Sequence, residues 1–239
     1  MSSANDIVAL TKVDKTYSNG TVALKGMNLT VTEGEFVSLL GPSGCGKSTG
    51  LRLIAGLGDL TGGRIDWPKA AIEGYSDRRH NIGFVFQEPT LMPWATVFDN
   101  VYLPLKLSGF SKTRAADRVR ESIGMVHLDG FEGAYPRELS GGMKMRVSIA
   151  RALVTDPEIL LMDEPFAALD EITRFKLNND LLELWRSQNL TVIFVTHSVY
   201  ESVFLSKRIV VMAARPGRVI DEIRIDAPYP RDDLSLIHI

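Results

Sequence analysis

The sequence predicts an α/β fold with a mostly parallel core sheet, an N-terminal antiparallel β subdomain and an inserted helical subdomain. Three observations carry that reading. The apolar stretch Phe36-Val-Ser-Leu-Leu40 runs into a glycine-rich loop and then a helix-forming segment at 48–56, the strand, loop, helix order of a parallel unit. Residues 159–162 and 191–196 are short, nearly continuous apolar runs separated by a helical pattern at 172–188, as expected of strands buried on both faces. Residues 7–40 alternate β-rich stretches with the turn signals Ser18-Asn19-Gly20 and Glu33-Gly34-Glu35, as expected of hairpins.

The middle of the chain changes character from about residue 88. Helical patterns at 97–107 and 111–124 follow one another without a strong strand between them, and this is the predicted insertion, about 88–140. Ser111 suits an N-cap, and Ala115, Val119, Ile123 and Val126 fall near one helical face. An amphipathic helix follows at 144–153. Near the far end, residues 208–214 and 218–225 flank Pro216-Gly217 and are predicted to close as a hairpin. No internal repeat or low-complexity segment interrupts the pattern.

A chain of 239 residues is long enough for one sizeable core, so residues 1–233 are read as a single domain. Lys plus Arg number 27 against 29 Asp plus Glu, and this balance argues against nucleic-acid binding through bulk charge. The one cysteine, Cys45, excludes an intrachain disulfide and favours a reducing compartment. Its place in the glycine-rich loop marks the thiol as a point of chemical vulnerability. No apolar run approaches the roughly 20 residues that span a bilayer, and the polar start has no leader pattern, so a soluble, unexported chain is expected. Residues 234–239, Leu-Ser-Leu-Ile-His-Ile, match the in-frame translation of a transposase-type sequencing adaptor, CTGTCTCTTATACACATC. They are expected to be a non-native tail, with the natural chain continuing beyond Asp233.

The chemistry concentrates in four places. Gly41, Pro42, Ser43, Gly44, Cys45, Gly46, Lys47, Ser48 and Thr49 fit GxxxxGK[ST] in full. Its glycines allow successive N–H groups to turn inward as an anion nest at a helix N-terminus, Lys47 can reach terminal phosphates, and the Ser48 hydroxyl can ligate Mg²⁺. Gly50 sits early in the helix, where an apolar residue would pack, and costs about 1 kcal/mol relative to alanine. The buried run at 159–162 delivers Asp163 and Glu164 to a sheet edge, Asp163 for the Mg²⁺ shell and Glu164 to polarise an attacking water. His197 ends the second buried strand and is expected on the same edge, orienting Glu164 or the water. Leu139-Ser140-Gly141-Gly142-Met143 precedes a helix and is either a capping turn or a second anion-binding element. The latter would serve a nucleotide held by another copy of the chain in a head-to-tail dimer.

These motifs, with Gln87 in Phe86-Gln-Glu-Pro89, Leu161-Met-Asp-Glu-Pro165, Ala168-Leu-Asp170 and Thr196-His197, occur in an order that resembles the nucleotide-binding subunits of ABC transporters, across about residues 7–225. The resemblance implies a P-loop NTPase fold of the ABC ATPase type that binds ATP with Mg²⁺ and hydrolyses it. It further implies that Tyr17 stacks on adenine and that Gln87 touches Mg²⁺ or the attacking water. Ser140, Gly141 and Gly142 would bind the ATP of the opposite subunit, and Asp170 would work across the dimer interface. The family usually has Gln or Arg where this chain has Lys144 and Met145, which removes a local polar contact.

Gln87-Glu-Pro-Thr-Leu-Met-Pro-Trp94 and Glu164-Pro-Phe-Ala-Ala-Leu-Asp170 look like the nitrate, sulfonate, taurine and bicarbonate importers, a group that includes carriers of thiamine-pyrimidine precursors. That likeness implies a homodimer at the cytoplasmic face of the bacterial inner membrane, peripheral to it. The dimer would dock on transmembrane permease subunits near Leu91-Met92-Pro93-Trp94 and be served by an extracytoplasmic solute-binding protein, with no nucleic-acid partner. A soluble ABC ATPase acting on DNA or ribosomes would need a second cassette, a coiled-coil insert or extra basic surface. A regulator without hydrolysis is opposed by Glu164 and His197.

Overall fold

The computed structural model describes residues 5–68, 80–229 and 231; the expectations for the first four residues and for 234–239 lie outside them. Two compact units make up the chain, one formed by residues 1–79 and 189–239, the other by His80–Gln188.

The first unit holds two sheets. In the antiparallel sheet, β1 (Asp6–Thr16) lies between β2 (Val22–Thr32) and β4 (Gly62–Asp66). Met27, Leu29 and Val31 of β2 are buried while Asn28 and Thr30 are exposed, the period of two expected of a half-buried strand. The second sheet centres on β3 (Phe36–Leu40). β7 (Val192–Thr196) and β8 (Arg208–Ala213) pair with it in parallel, and β9 (Arg218–Arg224) closes antiparallel on β8 as the expected hairpin. β7 is buried throughout because both its faces are covered, and Phe194 packs on Phe36 with ring centroids 6.0 Å apart. Helices α1 (Lys47–Ile54) and α6 (Val199–Leu205) follow β3 and β7.

At the strand starts, Arg208 donates Nε to Glu35 Oε1 at 2.7 Å and Nη1 to Glu222 Oε2 at 2.8 Å. Burial lowers the guanidinium's pKa, but these carboxylates more than offset it and the net shift is upward. A cleft of about 690 Å³ opens there, lined by Glu35, Arg208, Glu222, Arg224, Asp226 and Tyr229 among others. It lies at the opposite end of β3 from the glycine-rich loop, and its Arg208 is paired with Glu35 and Glu222.

The second unit joins a parallel strand pair, β5 (Ile82–Val85) and β6 (Ile159–Asp163), to helices α2 (Val97–Leu107), α3 (Lys112–Met125), α4 (Gly141–Leu153) and α5 (Glu171–Gln188). Thr96 caps α2 by accepting from Asp99 N–H at 3.2 Å, and Ser111 caps α3 as its residue type predicts. Ala115, Val119, Ile123 and Val126 are all buried, so the face read from the sequence is the packed one. Arg146 of α4 donates to Val126 O at 2.6 Å, at the end of α3, and pairs with Asp180 of α5. Met145 is 2 % exposed. Its flexible thioether is therefore packed inside the unit rather than presented at the helix surface.

Candidate functional site

In the first unit, β3 ends at Leu40 and the chain turns through residues 41–46 into α1. Gly44 and Gly46 have φ of +77° and +89°, a region that costs an L side chain about 1–2 kcal/mol. Gly46 is the N-cap and contributes no side chain, so the helix start stays open to an anion. The first helical bond runs from Gly50 N–H to Gly46 O at 2.9 Å. Gly41 is needed for space: a Cβ there would stand 2.5 Å from Met212 O. Pro42 has no N–H, and its carbonyl and that of Gly41 accept from Lys47 Nζ at 3.1 and 2.7 Å. The Lys47 side chain is thereby curled over the loop and 4 % exposed.

Cys45 corrects the expectation of chemical vulnerability. Its thiol is fully buried, 3.9 Å from Lys47 Nζ, so a bulky reagent has no direct approach to it. Ser43 and Gly44 are exposed at the loop tip. Tyr17, just beyond β1, is 42 % exposed, and its hydroxyl lies 3.3 Å from Thr49 Oγ1, which places the ring beside the helix start. His197 is exposed after β7, in a turn built by buried Thr196. Thr196 accepts from Ser198 N–H at 3.0 Å and hydrogen-bonds Glu201, while Ser198 caps α6.

One contributor escaped the sequence reading. Gly217, in the β8–β9 turn, accepts from Lys25 N–H at 2.9 Å, and a Cβ on it would lie 2.2 Å from Cys45 O. The turn therefore butts against the backbone of the phosphate loop and holds it. The only sequence signal was a Pro-Gly pair, which marks a turn and not its destination.

In the second unit, β6 delivers buried Asp163 and half-buried Glu164. Glu164 has φ +45°, rare for a residue with a side chain, and such strain persists where surroundings over-determine a functional conformation. Gln87 is exposed just beyond β5. Exposed Ser140 caps α4, accepting from Met143 N–H at 3.3 Å. Gly142 is buried, and a Cβ there would meet Thr173 Cγ2 at 2.6 Å; at Gly141 it would meet Leu169 Cδ2 at 3.3 Å. Asp170, exposed, accepts from Thr173 N–H at 2.9 Å at the start of α5, and this bond holds its carboxyl below its ordinary pKa. The bland capping and packing roles of Ser140, Gly142 and Asp170 are thus present within one chain.

Within the second unit, Asp163, 7 % exposed, and Gln87 offer side-chain oxygens, hard donors of the type that suits Mg²⁺ better than a softer transition metal.

A strand, glycine nest and helix with a loop lysine define a nucleotide-binding protein of the phosphate-loop class. The ABC transporter family model matches residues 24–167. An uncharacterized ABC transporter ATP-binding protein of Methanocaldococcus jannaschii is 51% identical over 227 residues, 95% of this chain and 84% of that protein. The aliphatic sulfonates import ATP-binding protein SsuB of Bacillus cereus strain ZK is 46% identical over 231 residues, 95% of this chain and 90% of that one. The dimeric post-hydrolysis cassette MJ0796 bound to ADP and Pi superposes with a TM-score of 0.77 at 38% identity, covering 91% of this chain and 98% of that one. Part of the cbiONQ transporter complex, cbiO1 of Clostridium perfringens, gives 0.83 at 28% identity, over 98% and 94%. The chain belongs to the ABC transporter family; it is an ATP-binding subunit whose ATP hydrolysis drives transport.

Proposed function

We propose that this subunit energises the import of a small solute of the sulfonate, nitrate, taurine or bicarbonate kind, or of a thiamine-pyrimidine precursor, through a separate membrane permease. The observation that carries the docking half of this reading is Trp94, 77 % exposed at the tip of an ordered turn, as an anchor for a membrane partner would be. The import half is supported by the likeness to the sulfonate import protein. No helix among the described residues is long and apolar enough to cross a membrane, so the pathway would belong to another chain. The subunit then works peripherally at the cytoplasmic face of the plasma membrane, with an extracytoplasmic binding protein supplying the solute.

Hydrolysis in this reading proceeds on ATP shared by two head-to-tail copies. Tyr17 stacks on the adenine, the residue 41–49 backbone cradles the phosphates, and Lys47 offsets their charge. When bound, Mg²⁺ would be held by Ser48, Asp163 and Gln87 and would neutralise charge on the β- and γ-phosphates. Glu164 takes a proton from water as its oxygen bonds to the γ-phosphorus, and the bond to the β–γ bridging oxygen breaks to release ADP. A base in this role contributes about 10²- to 10⁴-fold in rate. His197 orients the water and the γ-phosphate. Ser140, Gly141 and Gly142 of a second copy close on that phosphate, and its Asp170 contacts the facing site.

Glu164→Gln is the test. Mg²⁺-dependent ATP turnover should fall at least about 100-fold while ATP-bound dimers accumulate on size-exclusion chromatography. Turnover near the parental rate would remove Glu164 from the mechanism. Solute uptake by vesicles carrying the permease that co-purifies with this subunit, measured with an alkanesulfonate, nitrate and taurine, assigns the cargo.

A further inference from the structure

Helix α6 has only seven residues, too few to hold a helix by themselves, so its ends must be fixed by other parts of the chain. The N-terminal end is closed locally. Ser198 caps it, and the buried side chains of Thr196 and Glu201 hydrogen-bond to each other across the first turn. His197 stands exposed between Thr196 and Ser198.

The C-terminal end has no such local device. The last helical bond runs from Ser206 N–H to Ser202 O at 3.2 Å, and Ser206, with φ −101° and ψ 149°, leads the chain straight toward β8. The carbonyls of Val203, Phe204, Leu205 and Ser206 are left over, and no glycine or asparagine follows to reverse the chain and bond them. Two residues far along the chain take all of them. Tyr229 donates its hydroxyl to Leu205 O at 2.9 Å. Arg231 directs Nη1 at Ser206 O (2.7 Å), Phe204 O (3.3 Å) and Val203 O. Its Nη2 donates to Ala227 O at 3.1 Å, and the guanidinium lies 4.2 Å from the centre of the Tyr229 ring. Arg231 is 3 % exposed, and among the described residues its hydrogen bonds all end on carbonyls. A buried cation without a carboxylate is costly, and the negative end of α6 offsets that cost.

We propose that Arg231, seconded by Tyr229, is a positioning residue for ATP hydrolysis: by closing the C-terminal end of α6 it fixes the helix and, through it, the turn at 196–198 that presents His197. This role rests on the proposed reading of His197 at the γ-phosphate. Because α6 spans about two turns, a shift at one end has little helix in which to decay before it reaches the other. Both residues lie outside the stretch 24–167 that the ABC transporter family model matches.

Single-turnover hydrolysis of ATP with Mg²⁺ by the full chain tests this through a double-mutant cycle between Arg231 and His197. Arg231→Met should slow hydrolysis about 10- to 100-fold while ATP affinity stays within about threefold of the parent, because residues 41–49 and Tyr17 are left in place. Arg231→Lys, which keeps a cationic donor, should recover part of the rate. Tyr229→Phe deletes one hydroxyl and keeps the ring, and should slow hydrolysis about two- to fivefold. On a His197→Ala background, Arg231→Met should slow the residual rate by less than about twofold, since the presentation of His197 cannot be lost twice. If His197→Ala hydrolyses at the parental rate, the reading of His197 falls. If His197→Ala is slow but Arg231→Met leaves the rate unchanged, or slows it by the same factor with and without His197, the positioning role alone is overturned. Should Arg231→Met not fold, the same cycle run with Tyr229→Phe decides by the same two outcomes.

Discussion

The loop at residues 41–49 and the turn at 139–143 read alike in sequence, each setting glycines ahead of a helix. They use those glycines differently. In the first, Gly44 and Gly46 occupy left-handed backbone, and no side chain caps α1. In the second, neither Gly141 nor Gly142 has positive φ, Ser140 caps α4 in the ordinary way, and Gly142 clears space for Thr173 of α5. One glycine set makes a conformation and leaves a helix end open. The other makes a contact between helices. A glycine-rich pattern therefore does not by itself tell an anion nest from a packing device.

Substitutions separate the two. Gly46→Ala would combine the left-handed penalty with a Cβ 2.6 Å from Leu24 Cδ2 and 2.8 Å from Ala23 O. ATP affinity should fall at least about tenfold by calorimetry, the equivalent of about 1.4 kcal/mol; near-parental binding would mean the nest is not conformation-limited. Gly142→Ala should cost about 1–3 kcal/mol in denaturant unfolding through overlap with Thr173 Cγ2. Thr173→Ser, which removes that methyl, should restore most of it, and failure of the rescue would refute packing as the cause. Smallest is Gly50→Ala. Its Cβ would reach Met27 Sδ at 3.5 Å, an ordinary contact, so helix propensity should win and stability should rise by about 1 kcal/mol, seen as a higher melting temperature.

Much of the fold was legible because its signals are local. The helix at 97–107, the cap at Ser111, the strands ending in Asp163 and Thr196, and the hairpin around Pro216-Gly217 all appear where pattern and turn chemistry put them. Two strands escaped. β5 is four residues long with Gly83 inside it, and β4 is short and half exposed, so neither offers the alternation or apolar run that marks a strand. The burial of Cys45 was also invisible, since a glycine-rich loop normally faces solvent.

The sequence by itself determined the chemistry offered at each site: a glycine nest with a lysine, two acids after a buried strand, a histidine after another, and the family to which these belong. It could do so because each depends on neighbours within a few residues. Only tertiary structure decided what holds those groups in place: Gly217 against Cys45, Arg151 on Pro89 and Thr90, and Arg208 on Glu35, 173 residues away. Such contacts depend on which helix faces which loop, and a guanidinium or a glycine carries no mark in the sequence of the distant backbone it will meet.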